Sequence, residues 1–284
     1  MTISQLLRAG RPVGGVGLAL ALALLSGCTD VVSLNVPQGL PVLAVDGAIT
    51  DQPGPYTVTL TKTAGYFNDA PLARVAGAVV QLTDNLGQQE VLREQAPGTY
   101  VGSKIQGKIG NSYVLNIKAD GEEYQAATEI RRSQTIDSLG TIYRDDKGFG
   151  ADTAGFRLIY YAQEPPGKGD YIRFKRFKNG RLLNQPGQLT TSSDELVDGN
   201  YLKVEFGSPY LLKGDRGSVE INSLSADYYH FLNELRTQTD NRGLVAPSPA
   251  NVRTNVKNVN PQSPKNAVGY FAGYAVRSAS ITIK

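Results

Sequence analysis

The sequence has no tryptophan, one cysteine and one histidine in 284 residues. A single cysteine excludes an intrachain disulfide and any cysteine-rich zinc site. A single histidine excludes paired-histidine metal motifs of the HExxH type. The lack of tryptophan removes the largest aromatic platform on which a ligand could stack. Excess charge is also missing. Lys+Arg number 29 against 26 Asp+Glu, a formal net charge of +3, too small to make nucleic acid the main partner. The hydrophobic share of 40% excludes a disordered chain.

What is present begins at the N-terminus. Arg8 and Arg11 precede an unbroken run of apolar residues and glycine from Val13 to Leu25. A helix needs about 20 residues to span a hydrocarbon core, so this run is too short. Charged start, short apolar stretch and small residues together make a secretory signal. Leu25-Ser26-Gly27-Cys28 then matches the bacterial lipobox. The expectation is a lipoprotein signal peptide over 1–27, lipidation of Cys28, and a Pro-containing tether over 28–41. The bland alternative is an ordinary signal peptide followed by an incidental cysteine. Burial of acyl chains contributes about 0.8 kcal/mol per CH2, so two or three chains hold a protein on a membrane without a spanning helix. With Arg8 and Arg11 removed, the rest of the chain is close to neutral.

Residues 42–130 read as strands and turns. Tyr56-Thr57-Val58-Thr59-Leu60-Thr61 alternates large apolar residues with threonine, as a half-buried strand does. Asp84 to Gly87 and Asp120-Gly121 supply hairpin turns. Seven or so short strands without a helix predict an N-terminal antiparallel sandwich, Ig-like or prealbumin-like. Residues 131–138 read as a linker. Residues 139–284 read as a second β-rich domain containing one amphipathic helix over 225–238. Asn179-Gly180 is the strongest hairpin signal in the chain. Ser225 can cap the helix, and Tyr228, Phe231, Leu232 and Leu235 fall on one face. Val42–Ile49, Leu139–Tyr143, Phe156–Ala162, Tyr201–Phe206 and Gly269–Ile283 supply further strands. Asn241 to Gly269 is mostly irregular, with a short strand near Asn251–Val256.

Candidate chemistry is sparse. His230 lies opposite the apolar face of the helix and points to solvent, and no GxSxG elbow accompanies it. Glu122-Glu123, Asp145-Asp146 and Asp194-Glu195 are carboxylate pairs. Neighbours in a strand point to opposite faces, whereas glycosidases need carboxyls facing across a bond. Asp194 to Asn200 (DELVDGN) has some of the composition of a calcium loop without its spacing. No catalytic residue, metal site or cofactor is expected. The hairpin from Lys168 to Arg181 is basic. Arg173 and Lys175 share one parity and Arg176 and Lys178 the other, so a β-bulge near Lys175–Arg176 is expected. These residues and Arg181 form either a partner surface or the guard of an edge strand, the second fitting better. Aromatic clusters at Tyr160-Tyr161, Tyr228-Tyr229 and Tyr270-Phe271 read as core before ligand platform.

Residues 43–60, from Leu43-Ala44-Val45-Asp46-Gly47 through Asp51-Gln52-Pro53-Gly54-Pro55-Tyr56, resemble the opening of the domain-of-unknown-function family four-two-four-nine of envelope lipoproteins. Asn251 to Val256 and Gly269-Tyr270-Phe271 resemble its closing motifs, and the Tyr228-Tyr229 helix fits. Within the opening motif, Gly47, Pro53, Gly54 and Pro55 read as turn formers. The family has no catalytic residues to carry over. The resemblance implies an outer-membrane lipoprotein with an accessory role beside a TonB-dependent transporter; the missing catalytic sets add a non-catalytic, binding role, and the envelope location and weak charge leave no nucleic-acid partner. The alternatives are an adhesive or structural envelope protein and, less favoured, a carboxylate-dependent hydrolase.

Overall fold

The computed structural model describes residues 40–65, 70–148, 151–185, 188–207, 210–239 and 250–284. The expected signal peptide, Cys28 and nearly all of the tether lie outside the described residues. Eight strands come first: β1 (Leu43–Thr50), β2 (Tyr56–Lys62), β3 (Val79–Asp84), β4 (Gln89–Val91), β5 (Arg93–Ala96), β6 (Thr99–Gly102), β7 (Ser112–Ala119) and β8 (Glu122–Glu129). Seven follow: β9 (Ser138–Gly148), β10 (Ala151–Gln163), β11 (Tyr171–Lys178), β12 (Arg181–Leu182), β13 (Thr190–Ser193), β14 (Tyr201–Glu205) and β15 (Arg216–Leu224). Helix α1 (Ala226–Thr239) precedes β16 (Val256–Asn258), β17 (Ala267–Tyr274) and β18 (Val276–Thr282).

The fold is mainly β, as the strand alternation predicts. Two five-stranded sheets, ordered β17-β1-β2-β6-β5 and β16-β8-β7-β3-β4, enclose one core. Val45, Val58, Leu60 and Tyr100 come from the first sheet, and Val80, Leu82, Leu115 and Ile117 from the second. A second core lies between the sheet β14-β10-β9 and the sheet β12-β11-β15-β18. Leu158 and Tyr160 of β10 meet Ile172 and Phe174 of β11 and Val219 and Ile221 of β15. The period-2 pattern makes this possible because alternate side chains face one side of each sheet.

The turn chemistry holds locally. Asp120 and Gly121 have φ of 53° and 77° between β7 and β8, and Asn179 and Gly180 have 51° and 79° between β11 and β12. Positive φ at both central residues is what a type I′ turn requires. The Ser225 hydroxyl accepts the Tyr228 N–H at 3.2 Å, the N-cap bond expected at the start of α1.

Two local expectations fail here, each for a packing reason. Gly47 is not a turn residue; it lies inside β1, where a Cβ would come within 2.9 Å of Val58 Cγ2. The expected bulge at Lys175–Arg176 is absent. β11 pairs with β15 in unbroken register from Tyr171↔Leu224 to Lys178↔Gly217. Arg176 instead turns into the sandwich with Ile172 and Phe174, its long stem buried. A register irregularity does occur between β5 and β6, between Glu94 and Ala96.

The chain also returns. β17 pairs parallel with β1 from Leu43↔Ala267 to Thr50↔Tyr274, and β16 pairs with β8. Val256 and Phe271 therefore belong to the first core, although their sequence positions fall within 139–284. Gly269 permits the close approach. Its φ is +91°, and a Cβ there would sit 2.0 Å from the Val45 carbonyl oxygen. No L side chain fits that space.

The candidate site: an aromatic groove and an acidic cavity behind it

Helix α1 lies where the two sandwiches meet. On one side Tyr228 and Phe231 stack with Tyr270 of β17 at ring-centroid distances of 4.7 and 4.9 Å. On the other, Tyr229 stacks on Tyr171 of β11 at 4.7 Å, and the Thr191 hydroxyl of β13 donates to Asn233 Oδ1 at 3.0 Å. The loop before β16 pins the helix. Arg253 Nη2 lies 2.6 Å from Glu234 Oε1 and its Nη1 lies 3.1 Å from Asp227 Oδ1. Tyr270 donates its hydroxyl to Asp227 Oδ2 at 2.8 Å. Asn255 spans the sheets, donating to the carbonyls of Ala127 and Phe271 and accepting the Phe271 N–H. Burial pushes the Tyr228 hydroxyl up to about 12, against the pull of the nearby Arg173 charge.

An open groove of about 710 Å³ runs beside this helix, lined by Lys168, Tyr171, Ser193, Glu195, Tyr229 and His230 among others. His230 is exposed, with its ring 5.5 Å from Tyr229 and 6.5 Å from Tyr171. It therefore forms part of the groove wall.

The basic strand does not form one surface. β11 is paired on both sides, with β15 on one edge and β12 and β13 on the other, so it is not an edge strand and needs no guard. Lys175 bonds Glu220 at 3.0 Å, and Lys178 lies 2.9 Å from Asp215. Arg176 is buried, donates to the Gly207 carbonyl at 2.9 Å and covers the Phe206 ring. Arg173 and Lys175 line a second depression of about 270 Å³ with Leu183, Leu189 and Leu235. Arg181 is exposed at the hairpin. As a partner surface the set of five is thus broken, with Arg176 removed from it.

The acidic pairs separate in the same way. Glu122 is held by Asn258 and Lys265, whereas Glu123 pairs with Lys118. Asp145 lies within β9. Asp194 is buried while Glu195 is exposed.

Behind the groove is a small cavity of about 20 Å³, lined by Arg132, Gln134, Glu164, Asp170, Ser193 and Asp194 among others. Ser193 and Asp194 line both spaces. One oxygen each from Glu164, Asp170 and Asp194 lies within 4.8 Å of the others. Asp194 accepts the N–H groups of Gly169 and Asp170 at 3.1 and 3.0 Å. Glu164 accepts the Gly199 N–H at 2.7 Å. Arg132 Nε donates to both oxygens of Asp170, at 3.1 and 2.8 Å. Burial pushes the Glu164 carboxyl up; the Gly199 N–H opposes this, and the charges of Asp170, Asp194 and Asp198 add to it. The carboxylates are closer than the about 5 to 9.5 Å of glycosidase pairs, and the space between them is too small for a sugar ring. Of these residues only Asp194 stands out in the sequence. Glu164, Asp170 and Gln134 come from separate turns with no common spacing to reveal them.

Residues 29–280 match the family described as Domain of unknown function (DUF4249). The chain belongs to this family. No curated protein matches the sequence. The DUF4249 match covers both sandwiches and α1, including the opening and closing segments that resemble the family's motifs. Those segments have structural work in this fold. Asp51 accepts the Val276 N–H and an Arg277 N–H, and Asn255 joins β8 to β17.

Proposed function

We propose that this DUF4249 protein is a non-catalytic lipoprotein of the outer-membrane type, anchored through a lipidated Cys28 and acting as a binding component beside a TonB-dependent transporter. The observation that carries the reading is the open groove along α1. It combines two stacked tyrosines, an exposed histidine and charges of both signs, Lys168 and Glu195. Such a mixture of aromatic and polar groups in a shallow, solvent-reached groove suits a polypeptide segment of a partner better than a small substrate. The lipobox and the family resemblance supply the membrane and the class of partner.

The test is affinity capture of the full-length lipidated protein from detergent-solubilised envelopes. A TonB-dependent transporter should be recovered in near-equal amount, and the double variant Tyr171→Ala, Tyr229→Ala should lose it. Recovery of bulk envelope proteins alone would overturn the reading. The two-sandwich architecture also supports an adhesive or structural role, for which deletion would alter attachment while leaving uptake intact.

A further inference from the structure

We propose that Glu164, Asp170, Asp194 and Gln134 form a binding site for one calcium ion in the cavity behind the groove. The three carboxylates alone would not carry this, since acidic clusters on turns are common. The second observation is Gln134. It is 6% exposed, it lines the same cavity, and its buried Oε1 accepts no hydrogen bond. A buried acceptor without a donor is costly, and most such groups have a partner. Beside three carboxylates, a bound cation supplies that partner.

Size and charge select the cation. Calcium takes oxygen ligands at 2.3–2.6 Å, so opposite oxygens across one ion are about 4.6 to 5.2 Å apart. Carboxylate oxygens all within 4.8 Å of one another lie inside that span, so all three can reach one ion. Magnesium demands near-ideal octahedral geometry at about 2.0–2.1 Å and keeps several of its waters, which a pocket this small and lined by fixed protein oxygens does not accommodate. The volume of about 20 Å³ admits one ion or water and little else. Three carboxylates and the Arg132 guanidinium sum to two negative charges, which a divalent cation neutralises. The existing hydrogen bonds do not fill the site. Each carboxylate offers about four lone-pair positions, and the bonds from Arg132, Gly169, Asp170 and Gly199 leave several free while fixing the carboxylates in place.

The experiment is isothermal titration of CaCl2, and separately MgCl2, into the EDTA-treated full chain in detergent, with thermal unfolding alongside. One calcium per chain is expected, at least tenfold tighter than magnesium, with a rise in Tm in calcium. Glu164→Gln keeps the size and the Gly199 bond, so it should fold with an unchanged far-UV circular dichroism spectrum and bind calcium at least tenfold more weakly. Glu123→Gln, which pairs with Lys118 in the first sandwich, should bind as the wild type does. Absence of saturable heat up to about 10 mM CaCl2, beyond the range of weak extracellular sites, would overturn the proposal. So would equal binding of magnesium, or a folded Glu164→Gln protein that binds calcium normally.

Discussion

Glu90 offers the sharpest test of how the first sandwich is held. It is 5% exposed, yet it carries a carboxylate. Four donors converge on it: the Tyr56 hydroxyl at 2.6 Å and the N–H groups of Ser103, Lys104 and Ile105 at 2.7 to 3.0 Å. This carboxylate satisfies the backbone where the chain leaves β6, so no strand partner is needed there. Glu90→Ala strands all four donors. Ser103 and Lys104 are exposed residues and can turn to water, whereas Tyr56 and Ile105 are buried. At about 1–3 kcal/mol for each buried donor left without an acceptor, the two buried groups give a loss of about 4 kcal/mol. That is a large part of the about 5–15 kcal/mol that holds a typical domain. Glu90→Gln keeps one acceptor without the charge and should lose about half as much. The assay is urea unfolding at neutral pH, read as midpoint and slope. Burial opposes the Glu90 charge, but the bonds from Tyr56, Ile105, Ser103 and Lys104 outweigh it and hold the carboxyl below its ordinary 4.5. Its contribution is therefore fully present above pH 4.5 and fades as the pH falls through the lowered value, so the gap between wild type and Glu90→Gln should narrow in acid. A Glu90→Ala protein within about 1 kcal/mol of wild type, at unchanged slope, would refute this account.

Two glycine substitutions should separate strain from collision. Gly180→Ala meets nothing within 4 Å at φ +79° and should cost about 1 kcal/mol by chemical denaturation, whereas Gly269→Ala collides with the Val45 carbonyl and should leave the protein largely protease-sensitive. Glu164, with its carboxyl pushed up, holds its proton more tightly folded than unfolded. In EDTA, stability should fall as pH rises above 4.5 and level off beyond the raised value, a decline that Glu164→Gln should abolish in a pH series of thermal melts. Arg253→Ala removes both ion pairs to α1. As the pairs are partly exposed, global stability should fall by no more than about 1 kcal/mol, while amide exchange in Ala226–Thr239 should rise. An unchanged exchange rate there would show that the aromatic stack alone docks the helix.

Local signals carried much of the architecture. Asn179-Gly180 and Asp120-Gly121 located hairpins because few residues accept positive φ, and Ser225 located the start of α1 to within one residue. The alternation in Tyr56–Thr61 placed Tyr56, Val58 and Leu60 in the core. Parity misled at Arg176, because an arginine stem buries as readily as an apolar side chain when its guanidinium reaches a carbonyl. Gly47 misled because a glycine demanded by a neighbouring Val58 looks the same in sequence as one demanded by a turn. The acidic cavity was hidden for a different reason. Its members approach only after β11 and β13 have paired and the sheet of β10 has packed against them, so no short window contains them. The β16 and β17 returns were equally invisible, since nothing in a strand's own composition names its partner.

The parallel pairing of β17 with β1 has a consequence for how the chain matures. β1 and its neighbour are joined from Leu43↔Ala267 to Thr50↔Tyr274, so almost the whole described chain is synthesised between them. Until β17 is available, one flank of β1 has no partner and the first core lacks Phe271. Pairings of such long sequence separation form slowly. A polypeptide built this way cannot close its first core until β17 has been made. Loss of β17 should accordingly unravel the N-terminal sandwich, far away in sequence.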